Sequence, residues 1–214
     1  MRQPALDAIK WLAIITMTLD HLRFVWPALE FLSWPGRFAF PAFALVIAAH
    51  AVRQGQPGAS AWRQMAWLIG FAVVSQWPYW LLFEREQGNI MLTLACGLGL
   101  ICGLRMTGWR GTLIAIASIA IPLVIPVSYG LSGVILPAAF LVALQSGRKA
   151  SWALPAAVAA VPQGDLLHAA LAAAASITLL ALLSARCRAR VWPVGRWAYG
   201  YYPAHLLLLA ALAH

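Results

Sequence analysis

Residues 166–185 read LLHAALAAAASITLLALLSA, twenty positions without an Asp, Glu, Lys or Arg. A helix rises about 1.5 Å per residue and a bilayer's hydrocarbon core is about 30 Å thick, so this run is long enough to cross it. The rest of the chain has the same character. Of its 214 residues 63% are hydrophobic and only 10% are charged. Soluble domains carry roughly a quarter charged residues, so there is too little polar surface here to coat a water-borne core. Lipid is the solvent this composition fits.

Outward from that run, further apolar stretches cover residues 8–26, 38–53, 63–83, 90–105, 111–127, 130–146, 151–162 and 197–213. Turn chemistry separates them: Trp34-Pro35-Gly36, Gln56-Pro57-Gly58, Gly88-Asn89, Ser146-Gly147 and Pro162-Gln163-Gly164. The expectation is an all-α integral membrane protein, one domain over residues 1–214, with about nine transmembrane helices. Residues 8–26 are too long for a signal-peptide core and end without a small-residue cleavage site, so they read as a retained first helix. The run at 151–162, with Pro155 and Pro162 near its ends, is the shortest.

The charges orient the bundle. With the N-terminus cytoplasmic, the inner segments hold Arg2, Lys10, Arg53, Arg63, Arg105, Arg110, Arg148, Lys149, Arg186, Arg188, Arg190 and Arg196, which is 12 of the 15 basic residues. The other side holds Arg23, Arg37 and Arg85 beside Asp20, Glu30, Glu84, Glu86 and Asp165. This asymmetry is the positive-inside signal, and an odd helix count puts the C-terminus outside the cytoplasm. The net charge of +9 is scattered over short loops and forms no basic stripe, so nucleic acid is excluded as a partner. Membrane lipids are the expected surroundings. The cysteines Cys96, Cys102 and Cys187 have no metal-ligand spacing, and no metal is expected.

Ionisable groups within spans are costly and mark functional sites. Asp20, His21 and Arg23 lie toward the outer end of the first run, and Arg37 opens the second. Neighbouring residues on a helix point about 100° apart, so Asp20 is expected to meet Arg23 or Arg37 and not His21. His21 is then free to act as a base. Gln76, Asn89, Thr93, Tyr129, Ser132, Asp165, His168, Tyr202 and His205 all fall at the same depth or toward the same side, converging on one outward cavity. On the inner side His50, Arg53, Arg63 and Arg105 cluster around short loops, and Arg suits phosphate recognition.

Several motifs carry a resemblance. Leu19-Asp20-His21, Gly36-Arg37-Phe38-Ala39-Phe40-Pro41, Ser75-Gln76-Trp77-Pro78, Asn89-Ile90-Met91-Leu92-Thr93, Tyr129-Gly130-Leu131-Ser132-Gly133 and Tyr202-Pro203-Ala204-His205-Leu206 together resemble the TraX family, in order and over nearly the whole chain. That family is named for the acetylation of F-pilin and is similar to a wider group of transmembrane acyltransferases. The resemblance implies a multi-pass protein of the bacterial inner membrane. It would move an acetyl group from cytoplasmic acetyl-CoA to an acceptor amine or hydroxyl at the outer face: a pilin N-terminus, glycan, lipid or small amine.

By the same resemblance His21 is the catalytic histidine, with Asp20 and Arg37 around it. Gln76, Asn89, Thr93, Tyr129, Tyr202 and His205 would line the acceptor cavity. Arg53, Arg63, Arg105 and His50 would hold the CoA phosphates. One departure stands out: an acidic residue is expected before Tyr129, and Ser128 occupies the place. Asp165 or Asp20 would then have to partner the histidine, or the acceptor differs. The rival class is a transporter with an outward-facing polar cavity, whose ionisable residues would form a path through the bilayer.

Overall fold

Each apolar run folds as a helix, and the turn residues between runs break it. The computed structural model describes residues 4–185 and 191–213. Arg2, Arg186, Cys187, Arg188 and Arg190 lie outside them. In chain order come α1 (Pro4–Leu22), α2 (Ser33–Gly36), α3 (Ala39–Gln54), α4 (Ala59–Phe83), α5 (Ile90–Arg105), α6 (Trp109–Val124), α7 (Gly130–Ser146), α8 (Ala153–Ala160), α9 (Leu166–Ser184) and α10 (Trp197–Ala213). Two 3₁₀ turns, Pro27–Leu32 and Lys149–Trp152, precede α2 and α8. No strand occurs among the described residues.

The differences from the sequence expectation are at the ends. The first helix starts four residues early, where Pro4 fits a first turn, and stops at Leu22. Trp26 is extended (φ −124°, ψ 95°) because Pro27 follows it. Likewise α6 ends at Val124, two residues before Pro126.

Pro27–Gln54, Ala59–Phe83 and Leu166–Ser184 are long and apolar enough to cross a membrane by length and composition. By contrast α8 has 8 residues and is only about 12 Å long, well short of a bilayer core. It packs between α7 and α9.

Helix α3 is the hub, touching α1, α5, α7 and α9. Its Ala42, Ala44, Leu45 and Ala48 are fully buried. Small residues let helix backbones approach, which is how bundles pack where neighbours and solvent are equally apolar. The α5–α6 contact is the closest case. A Cβ on Gly103 would stand 2.5 Å from the Ala115 nitrogen, and one on Gly111 would stand 2.6 Å from the Met106 oxygen. The outward faces are themselves apolar: Val73 and Trp77 on α4, Ile116, Leu123 and Val124 on α6. Exposed apolar surface on this scale marks contact with something other than water, and the helices suggest a membrane protein.

Candidate functional site

The C-terminal turn of α1 brings Asp20, His21 and Arg23 beside α2 and the start of α3. Asp20 Oδ1 accepts from Arg23 Nε at 3.1 Å and from Arg37 Nη2 at 3.4 Å. Arg37 is fixed at two more points, donating from Nε to the Ser33 carbonyl (3.1 Å) and from Nη1 to Gln163 Oε1 (2.8 Å). Arg23 also donates to Glu30 at 2.8 Å. The charges therefore form a connected chain across α1, α2 and the 161–165 turn. Gly36 makes room for it, since a Cβ there would lie 2.6 Å from Cβ and Cγ of Asp20.

His21 points elsewhere, as the 100° step between neighbours requires. Its Nδ1 lies 2.8 Å from Nε2 of His205 on α10, the two rings nearly coplanar. His205 Nδ1 lies 3.0 Å from the Tyr201 carbonyl. A carbonyl only accepts, so with both rings neutral His205 carries its proton on Nδ1 and offers Nε2 as a lone pair. His21 must then donate from Nδ1, which leaves its own Nε2 unprotonated. Among the described residues that nitrogen has no partner, and His21 lines a cavity of about 320 Å³. The arrangement presents a base.

Asp20, Arg37, Gln163, Tyr129 and Tyr202 share that cavity. Tyr129 adopts a left-handed backbone (φ 64°) and stacks on Phe40 at 4.3 Å. A non-glycine residue held there costs on the order of 1 kcal/mol or more, and such strain concentrates at functional sites.

Ser128, where an acid was expected, is buried. It bonds the Tyr79 hydroxyl at 3.2 Å and the Gly88 carbonyl at 3.1 Å. Neither suggested carboxylate replaces the missing one beside His21. Asp20 is taken by the two arginines, and Asp165 pairs with His168 at 2.6 Å. The partner of His21 is an imidazole. Asp165, His168 and Ser33 do stand in the order of a nucleophilic triad, with His168 Nε2 3.2 Å from Ser33 Oγ. However, Ser33 is only 3% exposed and borders none of the cavities described here, so the trio clamps α9 to α2. Two hydrogen bonds to His168 hold the Asp165 carboxyl below the usual carboxylate range.

Three residues expected at this cavity stand behind its wall. Asn89 and Thr93 are fully buried. Asn89 Nδ2 donates to the Ala72 carbonyl (2.7 Å) and to Gln76 Oε1 (2.9 Å), and its Oδ1 caps α5 through the Met91 N–H. Gln76 Nε2 donates to the Gln87 carbonyl at 3.0 Å, and Thr93 donates to the Ser128 carbonyl at 2.8 Å. These bonds close the polar ends of the backbone where α4, α5 and the Ser128 turn meet. The expectation that Gln76, Asn89 and Thr93 line the cavity is thus corrected: they build its wall. His205 stands behind His21, and Ser132 bonds the Tyr129 carbonyl.

At the other end of the bundle His50, Arg53 and Arg63 line a cavity of about 740 Å³ together with Trp67, Arg196 and Tyr199. Arg105 does not join them. It donates to the Ala51 carbonyl at 2.6 Å and borders a small cleft of its own. Between the two ends lies a third cavity of about 300 Å³ with mainly apolar walls, Ile14, Ile47, Leu68 and Leu94 among them. It shares Met17, Phe43, Ile90 and Tyr202 with the His21 cavity, and His50, Gln64, Arg196 and Tyr199 with the Arg53 cavity. The three adjoin in series from one end of the bundle to the other.

Sequence reasoning missed Gln163, Gly36 and the Arg196–Trp67–Tyr199 wall. Gly36-Arg37 held a usable signal, a small residue directly beside a charge at the mouth of an apolar run.

No solved structure matches the chain. Over 221 aligned residues it is 31% identical to Protein TraX of Escherichia coli, covering 97% of this chain and 86% of that one. The sequence profile of the TraX protein family matches residues 5–213. With motifs, helices and match spanning the same residues, this chain belongs to the TraX family.

Proposed function

We propose that this protein is a membrane-embedded acetyltransferase that passes an acetyl group from cytoplasmic acetyl-CoA to an acceptor at the outer face of the bacterial inner membrane. The observation that carries the reading is the series of three adjoining cavities, with an arginine-lined chamber at one end and a poised imidazole at the other. The bias of 12 in 15 basic residues supports placing the Arg53 end in the cytoplasm and the C-terminus outside. In that placement residues 148–163, which end at the Gln163 that bonds Arg37, count as the short seventh of nine crossings. The family name supports a pilin N-terminus as the acceptor. An amine or hydroxyl of a glycan, lipid or small molecule fits the same chemistry.

In this mechanism Arg53 and Arg63 hold the CoA phosphates and the pantetheine arm enters the middle cavity, bringing the thioester to His21. His21 Nε2 takes a proton as the acceptor nitrogen or oxygen attacks the thioester carbonyl carbon. The carbonyl π electrons move to oxygen, where the Arg37 guanidinium and the Tyr129 hydroxyl stabilise the charge. Collapse of this intermediate breaks the C–S bond. The thiolate of CoA leaves and receives the proton from His21.

A carrier would also use cavities in series. The test is acetyl transfer in proteoliposomes, with labelled acetyl-CoA on one side and a pilin N-terminal peptide on the other. Labelled peptide is expected with the wild type and at most about a hundredth as much with His21→Ala. Transport of intact acetyl-CoA without transfer would establish the carrier instead.

A further inference from the structure

The cavity at the Arg53 end is more than twice the volume of the one at His21, about 740 against 320 Å³, and is large enough for a nucleotide-sized ligand. Its walls carry three guanidiniums, Arg53, Arg63 and Arg196, and no carboxylate. Among the described residues Arg63 and Arg196 make no ion pair, so their charge is available to an anion. Beside them stands an aromatic group. Trp67 stacks on both Phe71 and Tyr199, which are tilted to each other, with ring centres 5.7 to 5.9 Å apart in all three pairs. The Arg196 guanidinium lies 6.0 Å from the Trp67 ring centre. Trp67 is half-buried, and Gln64, on the same wall, bonds the Tyr199 phenol and fixes it.

Cations next to a partly open aromatic face are complementary to a ligand with phosphates on one side and a flat π system on the other. We propose that Trp67 and Tyr199 form a stacking platform for the purine base of the donor, with Arg196 and Arg63 on its phosphates. The proposal rests on the acetyl-CoA reading but assigns it new residues. It makes the nucleotide the part of the donor that is recognised, while the middle cavity accepts the arm by shape. A bare phosphate or a lipid headgroup would satisfy the arginines and leave the tryptophan without a role.

The test uses full-length protein in detergent and follows its melting temperature with CoA, adenosine 3′,5′-bisphosphate and pantetheine. CoA and the bisphosphate are expected to raise it at similar concentrations, and pantetheine only at far higher ones. Base stacking on an aromatic ring, removed by substitution, corresponds to about five- to hundredfold in affinity. Trp67→Leu should weaken both nucleotides by that factor and leave the pantetheine response alone, while Trp67→Phe stays within a few-fold of wild type. Arg196→Gln should weaken the nucleotides in the same way.

If Trp67→Leu, with its unliganded melting temperature intact, binds CoA as the wild type does, the platform is wrong and the donor reading stands. Stabilisation by phosphatidylglycerol vesicles but by neither nucleotide overturns both. Should the bisphosphate bind at Trp67 while no acetyl transfer occurs, the platform holds and the transferase reading falls.

Discussion

His205 Nε2 accepts the Nδ1 proton of His21 across 2.8 Å, and the Tyr201 carbonyl behind it fixes the direction of that bond. A neutral histidine has two tautomers, and only one leaves Nε2 of His21 basic. His205 is a positioning residue in this reading. His21→Ala should lower acetyl transfer by about 10²- to 10⁴-fold, the contribution of a positioned general base. His205→Leu should lower kcat with little change in KM, by up to the 10⁴-fold seen where a catalytic histidine is held in the wrong tautomer. Its pH profile should also move. His205→Gln offers an oxygen near the Nε2 position and should restore most of the rate. Equal losses in the Leu and Gln variants would refute this arrangement.

Asp20 and Arg37 are each 14% exposed in their side chains, so their pairing is largely shielded from water. Removing one partner of a buried pair leaves an uncompensated charge, at a cost on the order of 3 kcal/mol. Asp20→Ala should therefore lower thermal stability strongly, since Arg23 and Arg37 would then face each other. Asp20→Ala/Arg37→Met should recover part of that loss. An additive double variant would show that the two residues are not coupled.

Gly36 sits where no side chain fits. Gly36→Ala places a methyl 2.6 Å from Asp20 and should destabilise by about 1 to 3 kcal/mol, as overpacking does. Displacing Asp20 also loosens Arg37, so activity should fall further than unfolding explains. Activity at half-melting, compared with wild type at its own midpoint, separates the two effects.

Asp165 caps α9, accepting from the His168 N–H at 2.9 Å. Its pKa is depressed in the folded chain, so its contribution is present above the unfolded value of about 4 and fades as pH falls through the lower folded one. Asp165→Asn keeps the cap but not the charge. Wild type should be the more stable near neutral pH, and the two melting temperatures should converge below about pH 4. Parallel curves throughout would contradict this.

The helices were legible because apolar runs and turn residues are local signals, and all nine longer helices match the runs to within four residues at each end. That Asp20 meets Arg23 or Arg37 and not His21 was legible too, from the 100° step between neighbours; that it meets both was not. The His21–His205 pair was not, because 184 residues separate the two and only the approach of α10 to α1 joins them. Asn89 and Gln76 were misplaced for a related reason. A polar side chain in an apolar run announces that it needs a partner, but not whether that partner is a ligand or a nearby backbone group.

The middle cavity carries a last consequence. Ile14, Ile47, Leu68 and Leu94 separate the two polar vestibules. A bare ion entering that stretch would lose its hydration, at several kcal/mol even after the surroundings relax. An uncharged thioester loses far less. If the protein works as the proposed transferase, the stretch that admits the donor's arm should be an electrical insulator, so that many copies would leave the voltage across the membrane intact.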